Sequence, residues 1–158
     1  MTPPGRGTRV ACLMFFCVVL AACQDETSRT DDEGVQLELP TSNWGPGQDA
    51  MQAGIDGVLV VDAQDCLVVE TNYEAQSARS YAVVWPADFT ARRVPGEPVE
   101  LLDGAGQVVA SEGDHIFAGG GFLNSEDVEF AGREDCVPTR SEVFVLQDEV
   151  GVGTPPWG

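Results

Sequence analysis

The residues of this chain with the means to do chemistry are its cysteines, its single histidine and its carboxylates. Of the five cysteines, Cys12 and Cys17 lie inside an apolar run, 10–20, and Cys23 follows that run after Leu20-Ala21-Ala22. Cys66 and Cys136 are left in the body of the chain. An even pair reads as a disulfide wherever the compartment is oxidising. Two thiols and one histidine fall short of the four ligands of a structural zinc site, so no metal or other cofactor is expected. His115 falls at the start of an apparent strand, and Gly-x-Ser-x-Gly is absent. Neither a Ser-His-Asp nor a Cys-His arrangement is completed around it. Carboxylates cluster as Asp62 with Asp65, Glu112 with Asp114, Glu126 with Asp127 and Glu129, and Glu134 with Asp135. Two carboxylates that flank a glycosidic bond can hydrolyse it, and clustered oxygens can hold calcium. With so many acids some pairing arises by chance, and no cluster has the loop spacing of an EF-hand. An envelope hydrolase using paired carboxylates and a calcium-dependent binding module therefore stand as alternatives to a non-catalytic protein.

The start of the chain decides where it works. Arg6 and Arg9 precede the apolar run, no acid occurs before Asp25, and small residues close the run. That is the layout of an export signal. The run is about eleven residues long, too short for a bilayer span, which needs roughly 20. Leu20-Ala21-Ala22-Cys23 resembles the lipobox of bacterial lipoproteins. The resemblance implies a diacylglyceryl group on the Cys23 thiol, cleavage before it, and a mature chain that begins there. Two acyl chains give stable anchoring where one gives only reversible binding. The implied location is the extracytoplasmic face of the cell membrane.

The composition narrows the partners. There are 26 acidic residues against 8 basic ones, for a formal net charge of −18. All the basic residues are arginine, which fits a high-GC genome, and two of them lie in the signal. Such a charge keeps a protein soluble and opposes nucleic acid and anionic lipid alike. Nucleic acid is excluded as a partner; an envelope protein or a glycan remains, and the expected state is a monomer. Residues 23–53 are poor in apolar groups and rich in Gln, Asp, Glu, Ser, Thr, Pro and Gly. They read as an acidic tether between the 1–22 signal and a folded domain. Residues 151–158, with two prolines and Trp157, read as a C-terminal tail.

Between them, 54–150 is one small domain by length. Its apolar runs are short and valine-rich: 58–61, 66–70, 81–85, 99–102, 108–110, 115–118, 128–130 and 142–146. Turn-like stretches separate them, and Asp103-Gly104 is a strong hairpin signal. A short helix over 49–53 is the only helical candidate. About seven short strands predict an all-β fold, a small barrel (OB- or SH3-like) or a sandwich, with the barrel favoured because closure removes exposed edges. Gly119-Gly120-Gly121 predicts a bend, a bulge or a ligand-facing loop. Asp65-Cys66-Leu67, Val84-Trp85-Pro86, Leu102-Asp103-Gly104 and Gly113-Asp114, with the glycine triplet, resemble parts of uncharacterised exported β domains of high-GC Gram-positive bacteria. That resemblance implies no activity.

Aromatic residues are the best markers of a binding surface. Trp85 beside Pro86 reads as a core anchor that could also reach the surface. Phe122 follows the glycine triplet on an expected loop, and Trp157 could dock in an aromatic groove. The sequence thus predicts a lipid-anchored envelope lipoprotein carrying a non-catalytic binding or spacer module.

Overall fold

The structure is a computed structural model of the chain that describes residues 34–45, 48–71 and 78–157. The expected signal 1–22 and Cys23 lie outside the described residues. The described chain enters through two short strands, β1 (Val35–Leu37) and β2 (Thr41–Ser42). Three longer strands follow: β3 (Ala53–Val61), β4 (Leu67–Thr71) and β5 (Arg79–Pro86). Next come β6 (Thr90–Arg93), β7 (Glu100–Leu102) and β8 (Val108–Ser111). β9 (His115–Asn124), β10 (Phe130–Ala131), β11 (Glu142–Leu146) and β12 (Gly151–Val152) complete the set. Single 3-10 turns sit at Ser125–Asp127 and Glu134–Cys136.

Five of these strands close on themselves. β3 pairs antiparallel with β4 and β9, β4 with β5, and β9 with β11. β11 then lies parallel to β5, with Phe144 opposite Val83. Counted along the chain, the barrel strands run 1-2-3-5-4-1, so the fold is all-β and its barrel is the OB-like one. β2 lies parallel to the far end of β5 and carries β10 on its outer side. Between the third and fourth barrel strands the chain inserts β6, β7 and β8, which with β1 form a second antiparallel sheet ordered β1-β6-β7-β8.

Alternation explains the barrel interior. β3 turns Ile55, Gly57 and Leu59 inward and leaves the residues between them partly exposed, the period of two of a half-buried strand. Ile55, Leu59, Val69, Val83, Ile116, Phe144 and Leu146 form one cluster with Ala91, Val99, Leu101 and Ala110 of the second sheet. The two sheets therefore share a core. β5 and β11 read as continuous apolar runs because both their faces are buried. Their outer side chains, Ala82, Val84, Val143 and Val145, pack with Val137 from the chain that crosses over them.

Four expectations are corrected. The domain does not begin at 54: β1 pairs with β6, Leu39 is buried, and the Trp85 N–H donates to the Pro40 carbonyl at 2.9 Å. The average polarity of 23–53 hid a few apolar residues, Leu37, Leu39 and Met51, each of which packs on a core cluster. Nor is 151–158 a free tail, because β12 pairs with β9 and the Gly153 N–H donates to the His115 carbonyl at 2.7 Å. The helix over 49–53 is absent, and Ala53 opens β3.

The glycine triplet makes no loop. It lies within β9, paired with β3 on one edge and β11 on the other. A Cβ at Gly120 would fall 2.1 Å from the Val145 carbonyl oxygen, and one at Gly121 would strike Met51. The triplet serves close approach. The Asp103-Gly104 hairpin is present between β7 and β8, but Gly106 is the residue at positive φ (+74°).

Candidate functional site

A concavity of about 750 Å³ opens where the barrel meets the inserted sheet. Four segments line it. The turn after β5 brings Pro86, Asp88 and Phe89, closed by the Phe89 N–H on the Pro86 carbonyl. The β7–β8 hairpin brings Asp103, held because its Oδ1 accepts from the Ala105 and Gln107 N–H groups, both at 2.9 Å. The segment after β11 brings Gln147, Asp148, Glu149 and Val150, fixed by the Gln147 N–H on the Gly119 carbonyl. Trp44, three residues into the segment that leaves Thr41, brings an indole. Gln147 Oε1 in turn accepts from the Met51 N–H at 2.7 Å, so the entering chain and the exit from β11 are joined behind the cleft.

The cleft has apolar faces and an acidic outline. Phe89 lies nearly parallel to the Trp85 ring, with centroids 6.3 Å apart. Asp88, Asp103, Asp148 and Glu149 line it, and among the described lining residues none is basic. The Trp44 Nε1 atom is buried and has no hydrogen-bond partner among the described residues. A buried indole N–H ordinarily finds an acceptor. The arrangement offers an aromatic face and several carboxylate acceptors.

The aromatic residues singled out from the sequence do not converge on it. Trp85 is 0% exposed and fills the core, so it contributes no binding surface. Pro86 is the last residue of β5, and the Trp85 indole beside it is buried. Phe122 sits in β9, half-buried, with its ring centroid 5.0 Å from Tyr81 and 4.9 Å from Phe144. Trp157 is 57% exposed and rests edge-on against Phe117 at 5.3 Å, above Gly54. Of the three, Trp157 alone offers open surface. Trp44 was missed because it lay inside the expected tether. A large aromatic among polar neighbours was the signal that could have found it.

Cys66 and Cys136 form the expected disulfide. Around it, Arg133 makes a bidentate pair with Asp135, both contacts at 2.6 Å, and also donates to the Gln64 carbonyl at 3.1 Å. Arg93 of β6 reaches Asp65 in the β3–β4 turn at 2.9 Å. The Arg93 guanidinium holds the Asp65 carboxyl below its usual range, and Arg133 does the same to Asp135. Asp135 holds Arg133 above the usual arginine range.

In the other carboxylate groups at least one member is engaged in a turn or an ion pair. Asp62 Oδ1 accepts from the Gln64 and Cys66 N–H groups at 2.8 and 2.9 Å. Asp114 accepts from the Ser111 N–H, Glu112 from the Val99 N–H, and Glu126 from Arg140. His115 Nδ1 lies 3.3 Å from Asp56 Oδ1 and 3.2 Å from the Gly153 carbonyl oxygen, an arrangement that ties β12 to the barrel. Among the described residues no group of three or more His, Cys, Asp or Glu side chains is placed to hold a metal. No helix among them is long and apolar enough to cross a membrane. No protein-family model, no curated protein and no solved structure matches this chain. Its function must be argued from its own geometry.

Proposed function

We propose that the protein is an exported, lipid-anchored binding module of the cell envelope. Cys23 holds it to the outer face of the membrane, and the barrel presents the cleft to an envelope protein or glycan. The observation that carries the reading is the Cys66–Cys136 bond, because a structural disulfide belongs to an oxidising compartment. The lipobox-like Leu20-Ala21-Ala22-Cys23 supplies the anchor, and the net charge of −18 suits a module that stands off anionic headgroups.

The early start of the domain shortens the leash. With strand pairing from Val35 onward, only the residues between Cys23 and Gly34 separate the lipid from the fold. Fully extended they reach at most about 40 Å. The module then works close to the membrane, and β1 is the first strand of the described chain after the anchor. Mass spectrometry of the protein extracted from membranes tests this. The expected N-terminal peptide starts at Cys23 with a diacylglyceryl mass on its sulfur, and Cys23→Ser abolishes both the mass and membrane retention. An unacylated Cys23 in the extracted protein would sink the anchor.

A further inference from the structure

We propose that His115 is a proton-operated latch on the C-terminal strand. A proton on its ring fastens β12 to the barrel, and loss of that proton loosens β12 together with the Trp157 that follows it. The device stands apart from the cleft and from the anchor.

Geometry is the first argument. His115 meets Gly153 at both of its polar groups. The Gly153 N–H donates to the His115 carbonyl at 2.7 Å, and the Gly153 carbonyl oxygen lies 3.2 Å from the ring Nδ1. Gly153 holds φ at +102°, a conformation that favours glycine. β12 itself is two residues long, pairing Gly151 with Phe117 and Val152 with Ile116, so one further bond weighs heavily. A neutral imidazole can donate from Nδ1 in only one of its two tautomers. In the other, the Nδ1 lone pair faces a carbonyl oxygen and a carboxylate. The protonated ring always carries a hydrogen there, and its charge strengthens the bond.

Charge is the second argument. Asp56 of β3 stands 3.3 Å from Nδ1 through an Oδ1 that is buried and accepts no hydrogen bond among the described residues. A buried carboxylate oxygen without a donor is costly, and an imidazolium beside it supplies the missing charge. The other charged groups around the ring act in the same sense. Glu70 of β4 lies beyond Val58 on the row of paired residues that His115 begins. Glu112 and Asp114 precede the ring in the turn from β8, with carboxylates that accept from the Val99 and Ser111 N–H groups. Residues 108–111 of β8 and 151–157 carry no charged side chain. Carboxylates as a class stay ionised between pH 5.5 and 8, the interval in which histidines exchange their proton. The ring is therefore the part that switches. Docking of β12 strengthens as the pH falls through that interval and weakens as it rises.

The test uses the full chain in detergent micelles. Hydrogen exchange at the Gly153 amide is read as a protection factor, the rate relative to an unstructured peptide at the same pH. Protection is expected to be about threefold higher at pH 5.5 than at pH 8, while the amides of β4 keep theirs. H115Q is expected to abolish the difference with an unchanged β-sheet circular dichroism spectrum. The chain contains one histidine, so its Cε1–H NMR signal reports the ring proton directly. Linkage requires the converse effect. Gly153→Pro cannot reach a φ of +102° and releases the strand, after which the ring is expected to hold its proton about threefold less tightly. That arm decides the matter without altering His115. Equal Gly153 protection at both pH values, a difference that survives in H115Q, or a ring titration indifferent to Gly153→Pro would each overturn the latch.

Discussion

Cys66 and Cys136 are bonded to each other across 70 residues of chain, with Cα atoms 5.4 Å apart. The bond fastens the turn of the first barrel hairpin to the 3-10 turn that precedes β11. β11 is the last barrel strand and must slot between β5 and β9 to close the ring. Fixing its approach to the first hairpin removes much of the search from the unfolded chain. In the chain-entropy model a loop of this length stabilises by about 4 kcal/mol. The double variant C66A/C136A is expected to lose about that much in guanidinium unfolding, with an unchanged β-sheet circular dichroism spectrum in the absence of denaturant. A loss below about 1 kcal/mol would show that the bond is incidental to closure.

Arg133 reinforces the same corner and gives it a pH dependence. It pairs with Asp135, whose carboxyl it holds below the ordinary value of 3.8, as Arg93 does for Asp65. Below that value the unfolded chain binds more protons than the folded one at these two sites, so stability rises with pH there. The contribution is fully present above 3.8 and is lost as the pH falls through 3.8 toward the lower folded values. Thermal unfolding between pH 2.5 and 7 should therefore show an acid limb, shallower in R133Q and R93Q than in the parent. Both carboxylates are exposed to solvent, so the effect is also expected to shrink at high salt. An acid limb identical in all three proteins would remove this role.

Much of the barrel was legible in the sequence. Valine-rich runs punctuated by turns marked most of the strands, and β11 spans the residues expected of it. The disulfide followed from the count of cysteines. The entry strands were not legible, because β1 and β2 are three and two residues long and owe their existence to partners in β6 and β5. No local pattern can announce a strand stabilised only by its neighbour. The cleft was hidden for a related reason. Trp44 and Glu149 lie about a hundred residues apart in sequence, and only the return of the chain from β11 brings them to one rim. Turn-capping carboxylates such as Asp62 and Asp114 looked like candidate chemistry because a side chain that accepts backbone N–H groups has the same composition as one that awaits a substrate.

The glycines of β9 offer a contrast that separates close packing from mere looseness. Gly120 faces the Val145 carbonyl and the Phe144 ring, whereas a Cβ on Gly45 would meet nothing within 4 Å among the described residues. Gly120→Ala must push β9 from β11 at the point where the barrel closes, and overpacking of this kind costs about 1–3 kcal/mol. Gly45→Ala is expected to change stability by less than about 0.5 kcal/mol. Urea unfolding of the two variants measures the difference. Similar values for both would mean that β9 and β11 have room to spare.

The tryptophans supply the last contrast. Trp85 lies wholly inside, stacked on Phe89, whereas Trp157 sits at the surface with one edge on Phe117. Trp85→Ala removes a large buried side chain and is expected to cost about 3–5 kcal/mol. Trp157→Ala loses one edge-to-face contact and the cover over Gly54, for about 0.5–1.5 kcal/mol. Because β12 hangs on β9 through a two-residue pairing and the contacts of Gly153 with the His115 carbonyl and ring, that loss should appear first as local opening. Hydrogen exchange at the Gly153 amide is expected to accelerate in Trp157→Ala while the amides of β3 and β4 keep their protection. Uniform acceleration throughout the barrel would instead make the C-terminal strand part of the cooperative core.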